Sequence, residues 1–88
     1  MKIVFSSHAW EDYWHWCEND RKTLLRINKL IEECRRHPFT GSGKPEPLRG
    51  ELAGFWSRRI NQRDRLVYRI VGKDEEQRLE IAQCREHY

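Results

Sequence analysis

The spacing of apolar residues divides the chain into a helical half and a strand half. Ile3, Val4 and Phe5 form a short β-type run within Met1 to Phe5. Ser6 and Ser7 then offer N-cap hydroxyls, with Glu11 and Asp12 assigned to the first turn, where the helix dipole favours anions. Trp10, Tyr13, Trp14 and Cys17 recur at i, i+3, i+4 and i+7, which predicts a helix with one apolar stripe. Asn19 and Asp20 interrupt it and can cap a second helix, whose stripe is Leu24, Ile27, Leu30, Ile31 and Cys34. Arg35, Arg36 and His37 suit its C-terminus, and Pro38 stops it.

Past Leu48 the period changes to two. From Phe55 to Asn61, one face carries Trp56, Arg58 and Ile60, and the other Phe55, Ser57, Arg59 and Asn61. From Arg65 to Val71, Leu66, Tyr68 and Ile70 alternate with Arg65, Val67, Arg69 and Val71. An antiparallel hairpin is the economical reading. If the more apolar faces share the core, Arg59 and Arg65 lie together on the opposite face. Directly opposed residues point the same way, so the loop must be odd in length, most simply Gln62 to Asp64 with Asn61 opposite Arg65. Gly72 to Arg78 reads as a charged turn, and Leu79 to Tyr88 as a last strand of ambiguous alternation.

Between the halves lies Gly41 to Leu48, G-S-G-K-P-E-P-L. Gly41 and Gly43 are expected to loosen its start. Pro45 and Pro47 then stiffen the backbone on both sides of Glu46, since each fixes its own φ and extends the residue before it. That suits a carboxylate presented in one direction.

Composition narrows the class. The chain has 88 residues, enough for one small domain, taken as 1–88, with one modest core. Its net charge of +3 permits an anionic partner, and arginine, heavily used from Arg58 onward, fits phosphate through its planar fork. Three cysteines, Cys17, Cys34 and Cys84, with no C-x-x-C, suggest neither a disulfide framework nor zinc. Cys17 and Cys34 fall on apolar helix positions and read as core thiols of a reducing, cytoplasmic compartment. No signal peptide or membrane span is visible.

Several motifs fail. Pro45 after Lys44, with Pro38 where the first glycine belongs, rules out a phosphate loop. No metal-ligand spacing and no G-x-S-x-G occurs. A metal-free mechanism needs a base, an acid and cations that stabilise a charged transition state. The chain offers Glu46, His87, and Arg59 with Arg65. Each alone has an ordinary explanation: a solvated loop carboxylate, a wet hairpin face, a frayed end. The four tryptophans are assigned to core and interface. The residues by themselves reach a small α+β domain with a candidate phosphate-binding face.

Three stretches add a resemblance: G-x-G-K-P-E-P-L at Gly41 to Leu48, G-F-W-S-R-R-I at Gly54 to Ile60, and D-R-L-V-Y at Asp64 to Tyr68 with the terminal C-R-x-H-Y at Cys84 to Tyr88. In order and spacing the whole chain resembles the YoeB branch of the RelE-like bacterial toxins, ribosome-dependent mRNA endonucleases of toxin–antitoxin pairs. It departs at Glu86, where an aromatic is common, and in a longer turn at Gly72 to Arg78. The resemblance implies two N-terminal helices on a small, mainly antiparallel, twisted sheet. It implies a cytoplasmic, metal-independent endoribonuclease with no cofactor. Glu46 becomes the general base, Arg65 with Arg59 the transition-state stabilisers, His87 the acid and Tyr88 the nucleotide-positioning residue. Lys44 and Arg58 become candidate RNA-backbone contacts. The implied partners are a YefM-like antitoxin, mRNA in the ribosomal A site, operator DNA through the antitoxin complex, and a second copy of the chain. Two rival readings remain: a gyrase poison on the same scaffold, and a non-enzymatic nucleic-acid-binding module.

Overall fold

A computed structural model describes residues 1–88. In chain order the elements are β1 (Lys2–Phe5), α1 (Ser7–Asn19), α2 (Arg21–Arg36), β2 (Glu46–Pro47), β3 (Trp56–Arg59), β4 (Arg65–Val71) and β5 (Arg78–Gln83). The strands form one sheet in the order β1-β5-β4-β3-β2. Only β1 and β5 run parallel, so the expected α+β arrangement of two helices and a mainly antiparallel sheet is met.

The second helix follows its stripe. Asp20 caps it by accepting from the Thr23 amide at 3.0 Å, and Ile27, Leu30, Ile31 and Cys34 are buried. The first helix does not. Ser6 caps it as expected, accepting from the Ala9 amide at 3.0 Å, but Glu11 and Asp12 fall beyond the first turn. Trp10 and Trp14 are 51% and 54% exposed and Cys17 is also exposed, so Cys17 is not a core thiol. The buried face is Ala9, Asp12 and Trp16. A polar residue can occupy a core position there because it has a buried partner, the Cys84 amide, from which Asp12 Oδ2 accepts at 3.0 Å.

Leu66, Tyr68, Leu79, Ile81 and Cys84 meet α1 and α2 in a single apolar cluster. The hairpin keeps the expected parity, but its register is displaced by one pair. Arg59, not Asn61, stands opposite Arg65, and the loop is Ile60 to Asp64. Asn61 is used by the turn itself. Its Oδ1 accepts from the amides of Arg63 and Asp64 at 2.8 and 2.7 Å, an Asx arrangement that closes the loop early.

The last strand is shorter than its sequence suggests and ends at Gln83. Val67 pairs with Gln83 and Tyr68 with Ile81, so Ala82 is an unpaired extra residue, a bulge. The bulge reverses the alternation, which places Leu79, Ile81 and Cys84 all in the core. Beyond it the chain leaves the strand and crosses back over β4 and β3.

Candidate functional site

The segment from His37 to Gly43 is not loose. Arg58, on the core face of β3, is 0% exposed and directs its guanidinium at this segment. Its Nη1 donates to the Ser42 carbonyl at 3.0 Å, and its Nη2 to the carbonyls of Thr40, at 2.8 Å, and His37. Its Nε donates to the Tyr68 hydroxyl at 3.2 Å, which donates in turn to the Pro38 carbonyl at 2.6 Å. Burial pushes the Tyr68 phenol up to about 12 and the neighbouring Cys34 thiol up to about 11. Glu33 reaches over the top. It accepts from the Ser42 amide at 2.7 Å, which holds its carboxyl below the usual range, with the Arg58 charge a smaller cause. Arg58 is therefore a buried strut, with no free surface to offer RNA, contrary to its assignment as a backbone contact.

Gly43 ends this segment against β3. Its φ is +80°, its carbonyl accepts the Arg59 amide at 2.6 Å, and an added Cβ would meet the Arg59 carbonyl oxygen at 3.0 Å. A side chain there would push the segment off the strand. The glycines admit close approach rather than looseness. Lys44 follows at φ +50°, in the left-handed region, and is exposed.

Glu46 and Pro47 form β2, an edge strand where proline's missing N–H costs little. Glu46 pairs with Ser57, Ser57 with Val67, and Val67 with Gln83. One row of side chains thus crosses four strands on the face away from the helices. Ser57 and Val67 are buried although Val67 lies outside the core cluster, so something other than the helices covers them. The tail does: the Tyr88 hydroxyl lies 3.2 Å from Ser57 Oγ. Glu46 and Tyr88 therefore flank one serine.

The next pair on this face is Arg59 and Arg65. Like charges directly opposed are destabilising, yet neither forms an ion pair. Arg65 Nη1 donates to the carbonyls of Asn61 and Asp64 at 2.8 and 3.1 Å, which fixes its guanidinium while leaving its charge unneutralised. Arg69 and Arg78 on the same sheet behave differently. Both bind Glu80 at 2.7 Å, and the Glu80 carboxyl is held low by those hydrogen bonds, Arg78 first. Beside Glu46's row, by contrast, Arg59 and Arg65 meet no carboxylate.

Two buried carboxylates aim the tail. Asp12 accepts from the Cys84 amide, while Trp16 Nε1 donates to the Cys84 carbonyl at 2.8 Å. Asp64 Oδ1 accepts from the Glu86 amide at 2.6 Å, and the Arg65 amide donates to the Glu86 carbonyl at 3.1 Å. Glu86 has φ +66°, a strained turn held by both its backbone groups. His87 follows, exposed, stacked on the Tyr88 ring with centroids 4.9 Å apart. Its Nδ1 donates to the Tyr88 main-chain oxygen at 3.0 Å, which leaves Nε2 facing outward. No hydrogen bond joins His87 to Glu46, Arg59 or Arg65. It lines a neighbouring hollow with Arg63, Arg85 and Glu86.

Of the candidates, then, Glu46, Arg59, Arg65 and Tyr88 share a face, His87 stands at its margin, Lys44 borders it and Arg58 lies beneath it. Sequence reasoning missed Ser57, Asp12, Asp64 and Arg85; the pairing of Ser57 with Glu46 depends on the two-residue strand β2, which has no alternation to read. The largest surface hollow lies elsewhere, on α1 beside Trp10, Trp14 and His15. No group of His, Cys, Asp or Glu side chains has the makings of a metal site, and no helix is long and apolar enough to cross a membrane.

Residues 5–88 match the sequence model of a family described as the YoeB-like toxin of bacterial type II toxin–antitoxin systems. Toxin YoeB of Streptomyces coelicolor is 56% identical over the full length of both chains. Among solved structures, a YoeB/ParE toxin from Agrobacterium tumefaciens overlays with a TM-score of 0.97 at 51% identity, covering 100% of both chains. The Staphylococcus aureus YoeB has been solved as a dimer and in a heterotetrameric YoeB-YefM complex. These overlay at TM-scores of 0.87 and 0.86 with 42% identity, over 100% of this chain and 98% of theirs.

Proposed function

The chain belongs to the YoeB-like toxins of bacterial type II toxin–antitoxin systems, and on that premise we propose that it is a ribosome-dependent mRNA endonuclease, metal-independent and cytoplasmic, cutting in the A site. The observation that carries this reading is the row in which Glu46 and Tyr88 flank Ser57, with the ion-pair-free Arg59 and Arg65 one pair along.

Glu46 takes the proton from an RNA 2′-hydroxyl, and that oxygen attacks the adjacent phosphate in line. The bond from phosphorus to the 5′-oxygen breaks. His87 returns a proton to that oxygen, leaving a 2′,3′-cyclic phosphate and a 5′-hydroxyl. Because His87 Nδ1 already donates to the Tyr88 main-chain oxygen, Nε2 is the nitrogen left to carry the proton for transfer. Arg65 and Arg59 stabilise the extra negative charge on phosphorus; donors fixed beforehand need no reorganisation as that charge develops. Tyr88 orients the nucleotide, and Lys44 steers the backbone.

Messenger RNA on the ribosome is the substrate, and a YefM-like antitoxin is the partner that covers the basic face. Operator DNA is reached through that complex. The exposed Trp10 and Trp14 of α1 give a second copy of the chain an apolar surface to cover.

Primer extension on ribosome-bound mRNA with wild type, Glu46→Gln and His87→Ala tests the assignment. Cuts inside A-site codons are expected from wild type, slowed at least ~100-fold in each variant. A normal rate in Glu46→Gln would sink the base role, and full activity in His87→Ala the acid role. Intact mRNA with broken DNA would instead identify a gyrase poison.

A further inference from the structure

Arg85 stands out by what it lacks. Its Nε is buried and has no acceptor, and it is the one buried side-chain donor in the chain in that position. None of its other nitrogens has a hydrogen bond or ion pair within the protein. The one wholly buried cation, Arg58, is satisfied by three carbonyls and a phenol, and even the half-exposed Arg69 and Arg78 share Glu80. A half-buried guanidinium with no partner is costly, because its charge has lost water and gained nothing in return. It also lines the hollow of about 390 Å³ shared with Arg63, Glu86 and His87. Arg63 adds a second cation there, partly engaged by Asp64 at 3.8 Å. Glu86, the one carboxylate of the lining, forms no ion pair with either arginine.

From this we infer that Arg85 is a phosphate-binding residue, which takes the RNA phosphate next along the chain on the 3′ side of the cut. The inference rests on the proposed endonuclease function. His87 serves the leaving 5′-oxygen, which belongs to the downstream nucleotide, so groups sharing its hollow face that nucleotide. The next anion along is its 3′ phosphate. Arg85 supplies a planar fork for it, and Arg63 at the rim a second charge. Holding that phosphate fixes the leaving group opposite His87 Nε2.

The test pairs a protein change with a substrate change. Arg85→Met keeps the linear stem and removes the charge; in the message, the phosphate following the cut is replaced by a neutral methylphosphonate. Wild type should cut the neutralised message roughly ten- to hundredfold more slowly than the native one, the range of a lost charge-assisted hydrogen bond. Arg85→Met should cut the native message with a similar loss and show no further loss on the neutralised one. Its Tm should hold or rise, because an unsatisfied charge has gone; a merely structural arginine would lower it. Equal sensitivity to the methylphosphonate in both proteins overturns the inference, as does a fall in activity that only follows a fall in Tm. Unchanged cleavage with weakened antitoxin binding would also overturn it, assigning Arg85 to an acidic protein segment. If wild type cuts no message at all, the proposed function itself has failed, which is a separate result.

Discussion

Replacing Arg58 with methionine should damage this fold more than any exposed arginine substitution. The guanidinium is wholly buried and serves the Tyr68 hydroxyl and the carbonyls of His37, Thr40 and Ser42. Methionine fills much of the stem's volume, so the cavity term is small, but the acceptors remain. Exchanging a whole buried polar network for apolar groups can be neutral; removing one partner leaves the others stranded and costs about 3–5 kcal/mol. Water can reach some of the exposed segment's carbonyls, while Tyr68, fully buried, keeps only its bond to Pro38. We therefore expect a loss of about 3–5 kcal/mol, against a total of roughly 4–13 kcal/mol for a domain of this size. Tm should fall by more than ~10 °C. Urea unfolding monitored by tryptophan fluorescence measures the loss. Hydrogen exchange adds a local readout: the amides of Ser42 and Arg59, bonded to Glu33 and to the Gly43 carbonyl, should lose protection beyond the global change. A loss under about 1 kcal/mol, or those amides staying protected, would refute the strut.

Three further outcomes follow from the same contacts. Asp64→Ala strands the Glu86 amide and frees the tail, and should cost about 1–3 kcal/mol with a larger proportional loss of mRNA cleavage; Asp64→Asn, which keeps an acceptor oxygen, should lose much less, and equal effects would contradict the tail anchor. With a thiol reagent at pH 8, only Cys17 should react in the native protein, since burial lifts Cys34 to about 11 and Cys84 to about 12; rapid reaction of all three would show that the core is open. Asp20, Glu33 and Glu80 all have carboxyls held below their ordinary range, by the Thr23 amide, the Ser42 amide and Arg78 respectively. Their folded values lie below the unfolded ones, so their contribution is complete above about pH 4.5 and is lost as pH falls through the depressed values. Urea midpoints that stay flat from pH 5 to pH 2 would contradict this.

How far the sequence can be read depends on whether polar residues keep to polar faces. The second helix has five apolar residues at helical spacing with only Leu25 off the stripe and exposed, so its buried face is legible. The first puts Asp12 inside and Trp10 and Trp14 outside, and the most apolar stripe is the wrong one. Hairpin parity survives a register slip because a slide by one pair preserves which side each residue faces. The same parity puts Arg58 on the core face with Trp56 and Ile60, which is the clue to its burial; its basic character points to the RNA side instead, and misleads. Glu46, Arg59 and Arg65 can be nominated from proline spacing and alternation. The return of the tail cannot, because it depends on a bulge at Ala82 and on Asp12 and Asp64 catching the amides of residues 84 and 86, and none of these has a local signature. Arg85 is invisible for a related reason: an arginine without partners is recognised only once every neighbour is known.

Under the proposed function, this sheet face uses the RNA's own 2′-hydroxyl as nucleophile, directed by Glu46. A message bearing a single 2′-deoxynucleotide immediately before the scissile phosphate tests it most directly. Programmed on ribosomes beside the all-ribose message and read by primer extension, it should remain intact at that one position, while the all-ribose message is cut within the A-site codon. Cleavage of the deoxy-substituted linkage at the normal rate, or no cleavage of the all-ribose message, would rule out that chemistry.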